Sequence, residues 1–173
     1  TFDHFKQILA KNLEEGEEVN DFVERIGKDN LTSTLGINKT NKWYADVVYR
    51  TSSASAYSAG KLDARKENKA IMMLEYLAVG DERTTDICDS RNGTVLPKEN
   101  AFWRDNTPPM HYQCRSDIVE YTEAYVSAFD IQEFQPAEIE PALDGFGSTE
   151  GYETGNWVFP TKKMREDIQE FVK

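Results

Sequence analysis

The chain is poor in the residues that most dedicated chemistries require. Among its 173 residues there are two cysteines, Cys88 and Cys114, and two histidines, His4 and His111. Two thiols are too few for the disulfide framework of a small secreted scaffold, and a reducing compartment suits them. No run approaches the roughly 18–20 consecutive apolar residues of a membrane-spanning helix, so no membrane association is expected. No basic leader precedes an apolar stretch, so no secretion signal is expected either. The chain opens on Thr1, which reads as a processed product or a fragment of a longer chain. The G-x-x-x-x-G-K-[ST], G-x-S-x-G and H-E-x-x-H templates are all absent, which argues against the enzymes that depend on them. Positive charge is also scarce: 20 basic residues face 31 acidic ones, a net charge of -11. The bases are scattered among acids, so strong nucleic-acid binding is not expected. An acidic surface favours solubility and a basic partner.

What remains is enough for a globular fold. Hydrophobic residues make up 39% of the chain and aromatic ones 12%, so a few large side chains can build a core. Phe2, Phe5, Ile8 and Leu9 recur at helical spacing up to Gly16, and Val19, Phe22, Val23 and Ile26 repeat the pattern up to Gly27. Residues 28–41 are polar and read as a linker. A third helical pattern runs from Trp43 to about Lys66, with small residues at Ser52–Ala56 that would let another backbone pack closely. The period then changes. Ile71–Val79 is almost continuously apolar and reads as a buried strand. A short helix from Glu82 to about Arg91, capped by Asp81, should follow, with Asn92–Gly93 as its left-handed exit. Thr94–Leu96 and Ser116–Tyr121 read as further strands. From Glu123 to Asn156 acids, aromatics and turn residues suggest an arm ordered by contact. A helix capped by Thr161 should close the chain.

The expected fold class is therefore α+β: N-terminal helices, a small mixed or antiparallel sheet with a loop-rich core, and a C-terminal extended arm and helix. The organisation reads as a helical segment over 1–40, a central domain over 41–122, and an acidic arm with a final helix over 123–173.

Chemistry concentrates between Tyr76 and Tyr121. His111 and Cys114 stand as H-x-x-C just after Pro108–Pro109, a spacing that lets two ligands reach one metal ion. Cys88 offers a third ligand, with Asp86 or Asp89 as a fourth. The same residues also fit two buried thiols beside a hydrogen-bonded imidazole, or a Cys88–Cys114 disulfide. Arg83, Arg91 and Arg115 each lie near acids, and an arginine fork on a carboxylate can pin loops together. A His4/His111 acid–base pair is the nuclease reading, and it is weak because His4 sits on a polar position of the first helix.

The order of these pieces carries a resemblance. Asp81-Glu82-Arg83, Cys88, Asn92-Gly93-Thr94-Val95-Leu96-Pro97, Phe102-Trp103, Pro108-Pro109 and Cys114-Arg115 follow one another as in the central motif of the Mu F-like phage head morphogenesis family. Upstream, Arg50-Thr51 resembles that family's Arg-Thr pair on a helix, and the likeness covers roughly Val47 to Tyr121. It implies a minor capsid protein acting in procapsid assembly. It also implies docking to the portal or major capsid protein, and a place in the head interior or beside the portal after assembly in the host cytoplasm. Arg50, Thr51, Asp81, Arg83, Gly93, Phe102, Trp103, Pro108, Pro109 and Arg115 become its structural motif residues. Cys88, His111 and Cys114 become candidate zinc ligands. Thr85 stands where some members carry the first cysteine of a C-x-x-C, and Ser116 follows Arg115 where many end Cys-Arg-Cys. The alternatives are a Mu F-like trafficking module of a toxin or effector, and an internal virion protein that touches DNA.

Overall fold

The structure, a computed structural model, describes residues 2–28 and 42–150. The expected linker over 28–41, apart from Lys28, and the closing helix after Thr161 lie outside the described residues. The contacts divide the chain into two compact units, with the boundary between Ser53 and Ala54.

The first unit is helical. Helix α1 spans Phe2–Glu14 and helix α2 spans Val19–Lys28. The apolar spacing has its expected effect: Ile8, Leu9 and Phe22 are buried. Gly16 takes a left-handed φ of 66° at the turn between the helices. Asp21 accepts a hydrogen bond from the Glu18 amide at 3.1 Å, so one orphan donor at the start of α2 is satisfied. Arg25 holds this turn by pairing with both Glu15 and Glu17. Helix α3 spans Lys42–Glu67. Its first part carries Val47 and Val48, both buried. Tyr49 packs its ring 5.2 Å from that of Phe22 and donates its hydroxyl to the Glu17 carbonyl at 2.7 Å.

The second unit is built on a three-stranded antiparallel sheet of order β2-β1-β3. Strand β1 is Ile71–Leu77, β2 is Val95–Pro97 and β3 is Asp117–Thr122. The longest apolar run takes the central place and buries Ile71, Met73, Leu74 and Tyr76, while Met72 and Leu77 stay exposed. Leu74 pairs with Leu96 on one side and Glu120 on the other. Leu74, Tyr76, Leu96 and Ile118 form one face of the core with Trp103, Met110, Cys88 and Cys114. The later part of α3 is tied to β3: Lys61 bonds Asp117 at 2.8 Å and Arg65 bonds Glu120 at 3.0 Å.

Two expectations need correction. The helix expected over Glu82–Arg91 is only one turn, α4, Asp86–Asp89, capped by Thr85 rather than Asp81. Asp81 instead accepts from the Arg83 amide at 3.0 Å, closing a turn that competes with helix. After β3, where only an arm was expected, helix α6 spans Glu123–Phe129 and is capped by Thr122. Tyr121, Tyr125 and Phe129 stack along it with centroids 5.1 and 4.4 Å apart, the i, i+4 contact that favours a helix. Between β2 and β3 lies one more single turn, α5, Phe102–Asp105.

The chain beyond α6 returns to its own core. Phe134 exchanges both backbone hydrogen bonds with Val95 at 2.8 Å, adding a bridge beside β2. Leu143 donates to Met110, Gly147 donates to Pro109, and Thr107 donates to Gly147, at 3.0–3.1 Å. Gly147 has a φ of 81°, and a Cβ there would stand 2.7 Å from Met110 Cε and 2.8 Å from the Asp105 carbonyl oxygen. Only glycine fits that crossing.

Candidate metal centre

The Asn92–Gly93 turn sets up the site. Gly93 has a φ of 75°. It turns the chain so that the Gly93 amide donates to the Tyr76 carbonyl and the Tyr76 amide donates to the Thr94 carbonyl, each at 2.9 Å. The Asn92 side chain accepts from the Ala78 amide at 2.9 Å. This anchors α4 beside β1 and places Cys88 in the core. From the other direction, the Pro108–Pro109 segment, joined by a cis peptide bond, is buried and leads directly into Met110 and His111. Gln113 takes a left-handed φ of 56°, which turns the chain so that Cys114 also faces inward.

The result is a compact cluster. The Cys88 and Cys114 sulphurs lie 3.6 Å apart, and Cys88 Sγ lies 3.1 Å from His111 Nε2. A disulfide would need about 2.05 Å, so the cysteines are free. All three side chains are buried, and their ligand atoms lie within 4.8 Å of one another. His111 Nδ1 is 2.7 Å from the Tyr112 carbonyl oxygen. A carbonyl can only accept, so Nδ1 carries the hydrogen and Nε2 presents its lone pair to the sulphurs. That arrangement of a histidine tied at its far nitrogen is the one metal ligands use.

The electrostatics favour negative charge on sulphur. The hydrogen bond between the two thiols lowers the Cys88 pKa well below the usual thiol range. The same bond raises the Cys114 pKa, and burial adds to the rise. The two thiols titrate as a pair. The Tyr76 hydroxyl donates to Cys88 at 3.4 Å, and burial drives the Tyr76 pKa upward. Arg91 is buried nearby. It donates to Asn106 at 2.8 Å and to the Ile87 carbonyl at 2.5 Å, and burial lowers its pKa against the pull of Tyr76 and the two cysteines. It supplies positive charge close to the sulphurs.

The donor set fits a zinc ion. Two thiols and an imidazole are the ligands zinc prefers, and at ordinary bond lengths neighbouring ligand atoms stand about 3.5–3.8 Å apart. The sulphur pair already has that spacing. The fourth ligand expected from Asp86 or Asp89 is not in the cluster, and both carboxylates are exposed. A one-turn helix points these side chains away from the face that carries Cys88.

A family model described as Phage Mu protein F like protein matches residues 3–119. The chain belongs to this family. No curated protein and no solved structure matches it. Membership agrees with the resemblance read from the order of the motif pieces, and the structure gives most of those pieces a place.

Asp81 and Arg115 form the expected fork across 34 residues, with contacts of 2.5 and 2.7 Å. The fork holds the Asp81 carboxyl below the usual range and raises the Arg115 pKa. Phe102 and Trp103 meet edge to face at 5.0 Å, and the Trp103 indole donates to the Pro97 carbonyl at 3.0 Å. Arg83 is exposed and forms no such fork among the described residues. Arg91 bonds amide and carbonyl oxygens in place of the expected carboxylate. Arg50 and Thr51 lie in the first unit, outside this cluster: Arg50 pairs with Asp46 at 2.8 Å and Thr51 is buried. The His4 side chain lies outside the described residues. Sequence reasoning missed Tyr76 as a sulphur partner, because a tyrosine in an apolar run carries no sign of where its hydroxyl ends. Asp144-Gly145-Phe146-Gly147, which loosely resembles a Gly-Phe segment that follows the domain in this family, packs on the loop after Pro109: Phe146 meets Tyr112 edge to face at 4.9 Å and Gly147 crosses Met110.

Proposed function

We propose that this protein is a phage minor head protein that acts in procapsid assembly and head morphogenesis, in the head interior or close to the portal. The family match over residues 3–119 carries this reading. In it, residues 41–122 are the head morphogenesis domain, residues 1–40 a helical segment before it, and residues 123–173 an acidic arm. Cys88, His111 and Cys114 hold a zinc ion with a structural role, cross-linking α4 to the loop after Pro109. The Asp81–Arg115 fork closes the same loops from the solvent side. A clasp built this way presents a fixed surface, which is what docking requires.

The portal or the major capsid protein is the partner. Tyr125, Phe129 and Phe134 expose aromatic surface next to the acids Glu123, Asp130 and Glu133. Such a surface fits a patch that is apolar at its centre and basic at its rim. Truncation after Tyr121 would strip Phe146 and Gly147 from the core, so substitutions test the docking better. The experiment co-expresses the chain with portal and major capsid protein and sediments the particles. The wild type should travel with procapsids, and the Tyr125→Ala/Phe129→Ala variant should be depleted from them while remaining folded. A wild-type chain found only at the top of the gradient would sink the proposal.

A further inference from the structure

A cleft of about 20 Å³ lies against the clasp, walled by Thr85, Cys88, His111, Gln113, Arg83 and Arg115. Two of the three candidate metal ligands are therefore part of its wall. A volume of that size holds about one water and no side chain. The walls carry no further thiol, imidazole or carboxylate. Thr85 is engaged as the cap of α4, its hydroxyl accepting from the Cys88 amide at 3.4 Å. Arg83 and Arg115 reach the surface at the mouth. Arg115 is occupied by Asp81, whereas the Arg83 guanidinium has no partner among the described residues.

We infer that the metal centre is a three-ligand site whose fourth position is taken by an exchangeable water or small anion in this cleft. This rests on the reading of Cys88, His111 and Cys114 as metal ligands. A tetrahedral ion needs four donors, and the protein supplies three. The cleft beside them is solvent-sized and open to the surface. The unpaired Arg83 guanidinium makes an anion the favoured occupant over a neutral base. A site of this kind differs from a closed structural site in one measurable respect: its ligand field responds to solutes.

The test uses the full chain loaded with cobalt(II), whose absorption reports both sulphur ligation and coordination number. Sulphur-to-cobalt charge-transfer bands should appear, and chloride or cyanide at concentrations below those that strip the metal should shift the ligand-field bands. Thr85→Cys places a third sulphur, and so a fourth ligand, in the cleft. It should abolish the anion response and tighten metal binding, measured by chelator competition, by about tenfold or more, the scale on which changes around a site already act. If that variant does not fold, Arg83→Met serves instead; it keeps all three ligands and should leave the charge-transfer bands unchanged while weakening the anion response. Charge-transfer bands with no anion response in the wild type would overturn the open position and leave the metal assignment standing. Absence of any sulphur-to-cobalt band would overturn both.

Discussion

The two units bury polar groups in opposite ways. In the helical unit, Asn12 is fully buried with neither its side-chain nitrogen nor its oxygen bonded, and the Ser52 hydroxyl is likewise unpaired among the described residues. In the sheet unit, buried polar groups have partners. Thr94 donates to the Arg91 carbonyl at 2.7 Å, Thr107 to the Trp103 carbonyl at 2.7 Å, and Arg91 bonds Asn106 and Ile87. An unpaired buried group costs its full desolvation energy, whereas a paired one recovers it and fixes geometry. The helical unit is thus held by apolar pattern despite its polar groups, and the sheet unit is held in part through them.

That contrast can be broken or sharpened by substitution. The largest effect is expected at Trp103→Ala, which removes a buried indole and its bond to Pro97. It should cost the sheet unit about 3–5 kcal/mol, read as earlier denaturant unfolding of that unit. Gly147→Ala comes next. It forces a Cβ against the Asp105 carbonyl at a left-handed φ, and about 1–3 kcal/mol should be lost by the same measurement. The sharpest comparison pairs two substitutions of opposite sign. Asn12→Leu should stabilise the helical unit by about 1–2 kcal/mol, seen as slower amide exchange in α1, because an unsatisfied group is removed. Thr94→Val should destabilise the sheet unit by about 1 kcal/mol, because the Arg91 carbonyl loses its hydroxyl donor and keeps only the Thr94 amide, at 3.0 Å. If Asn12→Leu were destabilising, the distinction between the two units would fall.

The smallest effect concerns the Asp81–Arg115 fork, which is exposed and screened. Its folded-state carboxyl is held below the ordinary aspartate value. The stability it contributes is present above the unfolded value, near pH 4, and is lost as pH falls through the lower folded value. Wild type and Asp81→Asn should therefore differ slightly in melting temperature at about pH 7, and the difference should shrink steadily as pH falls below about 4. A difference unchanged across that range would mean the fork adds no linkage.

Legibility followed the same division. Helices α1, α2 and α3 and strands β1, β2 and β3 were readable because each carries its own period, and a period is local. Thr85 as the cap in place of Asp81 was not readable. Both residues are good caps, and the choice depended on Arg115, 34 residues from Asp81. Helix α6 was hidden because its aromatic contacts begin at Tyr121 in the preceding strand. The candidate metal ligands were visible as residue types, but Asp86 and Asp89 were not separable from them until the direction of α4 was known. The segment after α6 looked like a free arm because acids and prolines mark an irregular backbone whether or not it packs.

The sequence by itself determined the α+β class, the order of helices α1–α3 and strands β1–β3, and the set of candidate metal ligands, since these depend on side-chain pattern and chemistry within short windows. The tertiary structure alone decided that Cys88 meets Cys114 and His111, that Asp81 turns from helix cap to ion pair, and that Phe146 and Gly147 close over the core. Those outcomes depend on distances between segments far apart in the chain. Such distances are set by the packing of β1 against its neighbours, which no local window contains.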